Sequence, residues 1–139
     1  MRTHVWRFDV EWPHCDAAGI VFYPNFYIWF DMASGRLFKA NRLSYPELKR
    51  DFGILGMPLL ETGAKYENPC RLDDTVELTS WVDEWSGRTF LVKHKLVHAD
   101  GRPAMEGFER RALIKEAPGT ARGVAAVEAP MELKARFSV

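Results

Sequence analysis

Residues 24–40, PNFYIWFDMASGRLFKA, constrain this chain more than any other stretch. Pro24 suits the first turn of a helix, where its missing N–H would have no intrahelical partner. Wound at 3.6 residues per turn, Phe26, Tyr27, Ile28, Trp29, Phe30, Met32, Ala33, Leu37 and Phe38 lie nearly all round the cylinder and form no single stripe. A helix that is apolar on every side is expected to be buried on most sides. In a chain of 139 residues, something must therefore wrap around it.

The rest of the sequence supplies the wrapping. Residues 4–12 (HVWRFDVEW) alternate apolar and polar groups and read as a strand, and 13–21 break that pattern as a loop. Residues 45–52 suggest a short second helix, ended by Gly53, Gly56 and Pro58. Strand signals then dominate. Leu59 to Cys70 is one strand, with Gly63 as a bulge or a place of close backbone approach. Val76 to Trp85 alternates through Val76, Leu78, Ser80 and Val82. Thr89 to Ala99 alternates through Phe90, Val92, His94 and Leu96. Asp100-Gly101 is a hairpin turn, and Pro103 to Lys115 is the returning strand. Residues 116–123 read as loop, 124–129 as a short edge strand and 130–137 as a helical turn. Strands that cluster after one helix indicate an α+β chain with an antiparallel sheet. No internal repeat or linker interrupts it, so residues 1–139 read as one domain.

Charge narrows the function. Nineteen basic residues balance nineteen acidic ones, against the basic footprint that nucleic-acid binding needs. No stretch is long and apolar enough to span a membrane, and the N-terminus has no signal-like apolar core. A cytoplasmic protein is expected. Cys15 and Cys70 lack metal-ligand spacing and read as free thiols of a reducing compartment, with a disulfide left open. No metal site is expected, His94 and His98 having no ligand-type partners in sequence.

The chemistry concentrates in residues 14–26, HCDAAGIVFYPNF. Asp16 sits in a loop just before a helix N-terminus. Free N–H groups of a first helical turn carry partial positive charge and can hold a developing oxyanion. A carboxylate close by can attack a carbonyl or activate water. Gly19 would let backbone and substrate approach closely. Asn25 is placed to brace the helix entry. Taken alone, an aspartate here is more often a turn residue than a catalyst. Cys15 reads as packing and His14 as a hydrogen-bonding neighbour.

The pattern DxxGIVFYPNF followed by WFDMAS resembles the 4-hydroxybenzoyl-CoA thioesterase family of hot-dog proteins. Asp73-Asp74, the stretch from Glu84-Trp85 to Phe90, and the tail Val127-Glu128-Ala129-Pro130 fall where that family has similar segments, so the resemblance covers nearly the whole chain. It implies a hot-dog fold, a curved antiparallel sheet around the 24–40 helix, and hydrolysis of an acyl-CoA without a cofactor. It implies Asp16 as nucleophile or general base and the Tyr23 N–H as the donor to the thioester carbonyl. Asp31 would face a hydroxyl on an aromatic acyl group; read on its own, it simply pairs with Arg36 or another cation, or reaches solvent at a subunit edge. Arg88 would meet CoA phosphates. Homodimers or homotetramers with shared sites are implied as well. Two departures stand out: His14 replaces an acidic residue, and Ser86-Gly87-Arg88 is poorer in basic residues than some relatives. An aliphatic acyl-CoA thioesterase and a non-catalytic acyl-CoA-binding protein are the rival readings.

Overall fold

The computed structural model describes residues 1–138. Its elements are β1 (Thr3–Asp9), α1 (Pro24–Ala40), α2 (Tyr45–Phe52), β2 (Leu59–Tyr66), β3 (Thr75–Ser86), β4 (Thr89–His98), β5 (Pro103–Glu116), β6 (Val124–Val127) and α3 (Met131–Ala135). The strands form one sheet in the order β1-β3-β4-β5-β2, with β6 also pairing β5, and every pairing is antiparallel. Register shifts at Leu59/Glu61, Val82/Glu84 and Leu96/Val97 interrupt three of the ladders. Such bulges bend a strand and increase its twist, which lets the sheet curl about α1.

The alternation read from sequence decides which side chains meet the helix. Val76, Leu78, Ser80 and Val82 of β3 and Phe90, Val92, His94 and Leu96 of β4 are all buried. One cluster packs Phe26, Trp29, Phe30 and Ala33 of α1 with Val76, Leu78, Leu96 and Met105. A second joins Leu37 and Phe38 with Leu48, Phe90, Leu113, Leu133 and Phe137, so α2 and α3 close the far end of α1. Ser44 starts α2 with a capping box: its Oγ accepts from Glu47 N–H and its N–H donates to the Glu47 carboxylate at 3.0 Å. Gly53, at φ 68°, ends that helix in the left-handed region.

Three expectations need correction. The first strand ends at Asp9, not Trp12, because Trp12-Pro13-His14 winds into a 3₁₀ turn. The second ends at Tyr66, not Cys70, because the N–H groups of Glu67 and Asn68 both turn onto the Ala104 carbonyl. The third concerns α1, which is covered on one side only. Ile28 and Met32 are 55% and 44% exposed. They lie four residues apart, one above the other on a face the sheet does not reach.

Candidate active site

Residues 14–25 form a closed loop held at its neck. The His14 carbonyl accepts from Phe22 N–H at 2.9 Å and from the Asn25 side-chain amide at 2.8 Å. Asn25 thus ties the start of the loop to the first turn of α1. Within the loop, Asp16 N–H donates to the Ile20 carbonyl, Gly19 N–H to the Asp16 carbonyl and Ala18 N–H to Asp16 Oδ1 at 2.8 Å. This turn needs a left-handed residue, which Gly19 supplies at φ 77°. Ile20 bridges Arg71, Val21 N–H donates to the Cys70 carbonyl, and Leu72 N–H donates to the Gly19 carbonyl. The loop is therefore braced from both its ends and its flank.

Two groups at the mouth of this loop stay unengaged. Asp16 is exposed, and its Oδ2 has no protein partner among the described residues. The Tyr23 N–H likewise has none; it opens α1 as the helix cap, whereas Asn25 N–H and Phe26 N–H are taken by the Phe22 and Tyr23 carbonyls. Beside it lies a cavity of about 330 Å³ lined by Ile20, Val21, Tyr23, Phe26, Tyr66 and Cys70. The Tyr66 hydroxyl lies 3.5 Å from that of Tyr27, and burial with this contact pushes Tyr66 up to about 12. Burial, then the charges of Asp16, Asp73 and Asp74, raises the Cys15 thiol. Both cysteines are free. His14 turns its ring away: Nδ1 accepts from Glu11 N–H at 2.9 Å and the ring meets Trp29 edge-on.

Asp31 and Arg88 lie elsewhere. Asp31 follows Tyr23 by eight residues, about 12 Å along α1 at 1.5 Å per residue. Its partner is Arg111, at 2.7 Å, and not Arg36, whose guanidinium stacks over Trp6. Arg88 is exposed in the Gly87-Arg88 turn between β3 and β4. Thr75, at the other end of β3, is the end that neighbours the Asp16 loop. The 12 residues of β3, at about 3.3 Å per step, put roughly 35 Å of strand between Thr75 and the turn that carries Arg88. One chain does not bring Arg88 to Asp16.

A second polar cluster was not anticipated from sequence. On the buried face of the sheet, Ser80 Oγ lies 2.7 Å from His94 Nδ1, and His94 Nε2 donates to Glu109 Oε1 at 2.9 Å. Ser34 of α1 donates to the same carboxylate oxygen. Arg111 donates to Glu109 Oε2, to the Met57 carbonyl and to Asp31 Oδ1. Burial alone would raise Glu109, but His94 and Arg111 hold it below its ordinary value. Burial works against the Arg111 charge too, and Glu109 and Asp31 outweigh it, raising Arg111. The signal available in sequence was Glu109 and Arg111 at alternate positions of a strand whose alternate neighbours, Met105 and Leu113, face the core.

Comparison with known proteins gives the family and the fold. A family model described as the thioesterase-like superfamily matches residues 10–137. The 4-hydroxybenzoyl-CoA thioesterase of Pseudomonas sp. (strain CBS-3) is 30% identical over 88 residues, 63% of this chain and 62% of that protein. The aligned stretch thus spans less than two-thirds of that relative. The solved structure of 4-hydroxybenzoyl-CoA thioesterase from the same strain superposes with a TM-score of 0.87 at 25% identity, covering 98% of this chain and 99% of the other. The solved structure of a gentisyl-coenzyme A thioesterase superposes with a TM-score of 0.79 at 28% identity, covering 98% and 100%.

Proposed function

The chain belongs to the thioesterase-like superfamily, and from that premise we propose that it hydrolyses acyl-CoA thioesters, with Asp16 as its catalytic carboxylate. The observation that carries the reading is that one braced loop, closed by the Phe22 N–H to His14 carbonyl bond, carries both an unengaged Asp16 Oδ2 and an unengaged Tyr23 N–H at the start of α1. The thioester carbonyl oxygen would accept from Tyr23 N–H, where the helix dipole also favours negative charge. Asp16 would then either add to the carbonyl carbon or take a proton from the water that adds. In the first route the C–S bond breaks to leave a mixed anhydride on Asp16, and water then hydrolyses it, freeing the acid and regenerating the carboxylate; in the second the water oxygen bonds to the carbonyl carbon and the C–S bond breaks directly. By either route one water is consumed per acid and CoA released, and a proton from that water ends on the CoA thiolate or in solvent. The thioester is already activated, so these steps call on no cofactor. Gly19 keeps the loop shape and Asn25 keeps the loop on the helix.

The proposed acyl group is aromatic, with a hydroxyl that meets Asp31. A para-hydroxybenzoyl group spans only about half of the ~12 Å between Tyr23 and Asp31 along one helix. The Asp31 that meets it would therefore come from a second copy of the chain. Two exposed features suit such a pairing: the face of α1 with Ile28 and Met32, and β2, an edge strand carrying exposed Leu59 and Leu60. In that assembly Arg88 would serve CoA bound mainly by another copy.

The test is thiol release from 4-hydroxybenzoyl-, benzoyl-, butyryl- and palmitoyl-CoA by the wild type and Asp16→Asn. The expected result is turnover of the aromatic esters that falls at least about a hundredfold in the variant. Turnover confined to the aliphatic esters would discard the acyl group and keep the mechanism. Wild-type rates in Asp16→Asn would sink the mechanism.

A further inference from the structure

We propose that Arg111, backed by Glu109 and His94, is a positioning residue that sets acyl-group selectivity by fixing Asp31. This rests on the reading of Asp31 given above and extends it to residues that touch no substrate. Three observations carry it. First, the cluster is costly where it stands. The side chains of Glu109 and Arg111 are 2% and 5% exposed, His94 is fully enclosed, and apolar residues could fill the same volume without desolvating charges. Second, the surrounding fold is shaped to hold it. Phe30 lies flat on the His94 ring, with ring centroids 4.5 Å apart, and a Cβ on Gly107 would come within 2.5 Å of Phe30. Third, the cluster surfaces at one place. Its outermost carboxylate, Asp31, is 67% exposed and lines a cavity of about 310 Å³ together with Tyr27, Ile28, Leu59, Thr62 and Arg111.

The geometry defines what Arg111 does. Its guanidinium engages Asp31 Oδ1 and leaves Oδ2 without a partner among the described residues. A free aspartate at an exposed helix position samples several rotamers and accepts from any direction. Held by one oxygen, Asp31 presents a single acceptor. The Met57 carbonyl and the Glu109 carboxylate fix the guanidinium in turn. Nε of Arg111 is buried and unpartnered, so the side chain's bonds all leave through its two terminal nitrogens. Asp31, Arg111 and Glu109 together carry one net negative charge. The cavity thus suits a neutral hydrogen-bond donor, such as a phenolic hydroxyl, and disfavours an acyl group ending in a carboxylate.

The experiment measures calorimetric affinity for two non-hydrolysable thioether analogues of benzoyl-CoA, with and without the para hydroxyl. Removing the guanidinium alone would strand the Glu109 carboxylate, so the main variant combines Glu109→Gln with Arg111→Met. Arg111→Lys keeps the charge but loses the fork. Both are checked for native circular dichroism. The wild type is expected to favour the hydroxylated analogue about tenfold, the factor for one hydrogen bond to a charged acceptor. Asp31→Ala should remove that preference, and both Arg111 variants should remove most of it. Adding Asp31→Ala to either should remove only the small remainder. A merely structural role would weaken both analogues equally, and that result overturns the proposal. So does a preference that survives in both Arg111 variants, or a wild type with no preference. Thioester turnover is scored separately. Hydrolysis with a preference indifferent to Arg111 keeps the hydrolase and loses this inference. An Arg111-dependent preference without hydrolysis does the reverse.

Discussion

Replacing Gly107 by alanine should unfold this protein well below its normal melting temperature, and the reason lies in three distances. A Cβ at position 107 would stand 2.5 Å and 2.6 Å from two carbons of the Phe30 ring and 2.7 Å from the Gly63 carbonyl oxygen. Carbon atoms pack best at about 3.5–4.0 Å, so each contact is short by roughly an ångström. Neither neighbour can retreat freely. Phe30 is fully buried and stacked against His94 at 4.5 Å, and Gly63 is paired with Phe108 in the β2–β5 ladder. Overpacking of a core usually costs about 1–3 kcal/mol, and the rigid backbone neighbour puts this case at the upper end, about 3 kcal/mol. For a chain of this length, that corresponds to a drop of roughly 10 °C in Tm. Gly63→Ala is the internal control. Its Cβ would meet only the half-buried Phe108 ring, at 2.9 Å and beyond, and that ring can swing. Differential scanning calorimetry of the two variants beside the wild type reads the difference directly. A Gly107→Ala protein melting within about 2 °C of the wild type would refute the reasoning, since Phe30 would then not be wedged as described.

Two further outcomes follow from charge and burial. Glu109 sits below its ordinary value of 4.5 in the folded chain, so its contribution to stability is fully present above that pH and is lost as pH falls through the lower folded value. Glu109→Gln should cost about 3 kcal/mol at pH 7, the low end for breaking a buried pair, because the amide oxygen still accepts from Arg111. Urea unfolding between pH 7 and pH 3 should show that gap narrowing only on the acid side of 4.5; a gap that widens there would contradict the assignment. Cys70 is buried, and burial pushes its thiol up to about 12. A disulfide reagent at pH 8 should label it only at the rate of unfolding, whereas rapid labelling of native protein would place Cys70 elsewhere.

What sequence revealed and what it hid separate along one physical line. Periodicity reports the direction of each side chain, so the existence and order of the strands, the hairpin at Asp100-Gly101 and the inward faces of β3 and β4 were legible, while the ends of the first two strands were not. Ser80 and His94 even fell on the predicted inward faces. The shape of the Asp16 loop was legible because its signals are local: glycine, turn aspartate and helix start lie within ten residues. The partner of Asp31 was not, because Arg111 lies eighty residues away and meets it only through the sheet register. Val92 opposite Glu109 and Phe90 opposite Arg111 fix which level of the sheet each charge occupies, and no local pattern encodes that level.

The exposed side of α1 makes the same point in the other direction. All-round apolarity was read as a demand for wrapping by this chain's own sheet. The sheet meets only half of that demand, leaving Ile28 and Met32 in the open beside Asp31. Apolarity in a sequence records what the working assembly buries, and it does not say which chain does the burying. An isolated surface would gain nothing from Ile28 and Met32 flanking a carboxylate that a buried arginine holds in place. A second copy laid on that face would cover both. It would also close the cavity around Asp31 Oδ2 and strengthen the hydrogen bond on which the proposed selectivity depends, since such bonds gain as water is excluded. On this reasoning substrate preference and self-association are coupled. Dilution that splits the assembly should erase the preference for the hydroxylated acyl group before it unfolds the chain, and sedimentation velocity run beside the affinity measurement would show the two falling together. A fully dissociated chain that kept its preference would break that link.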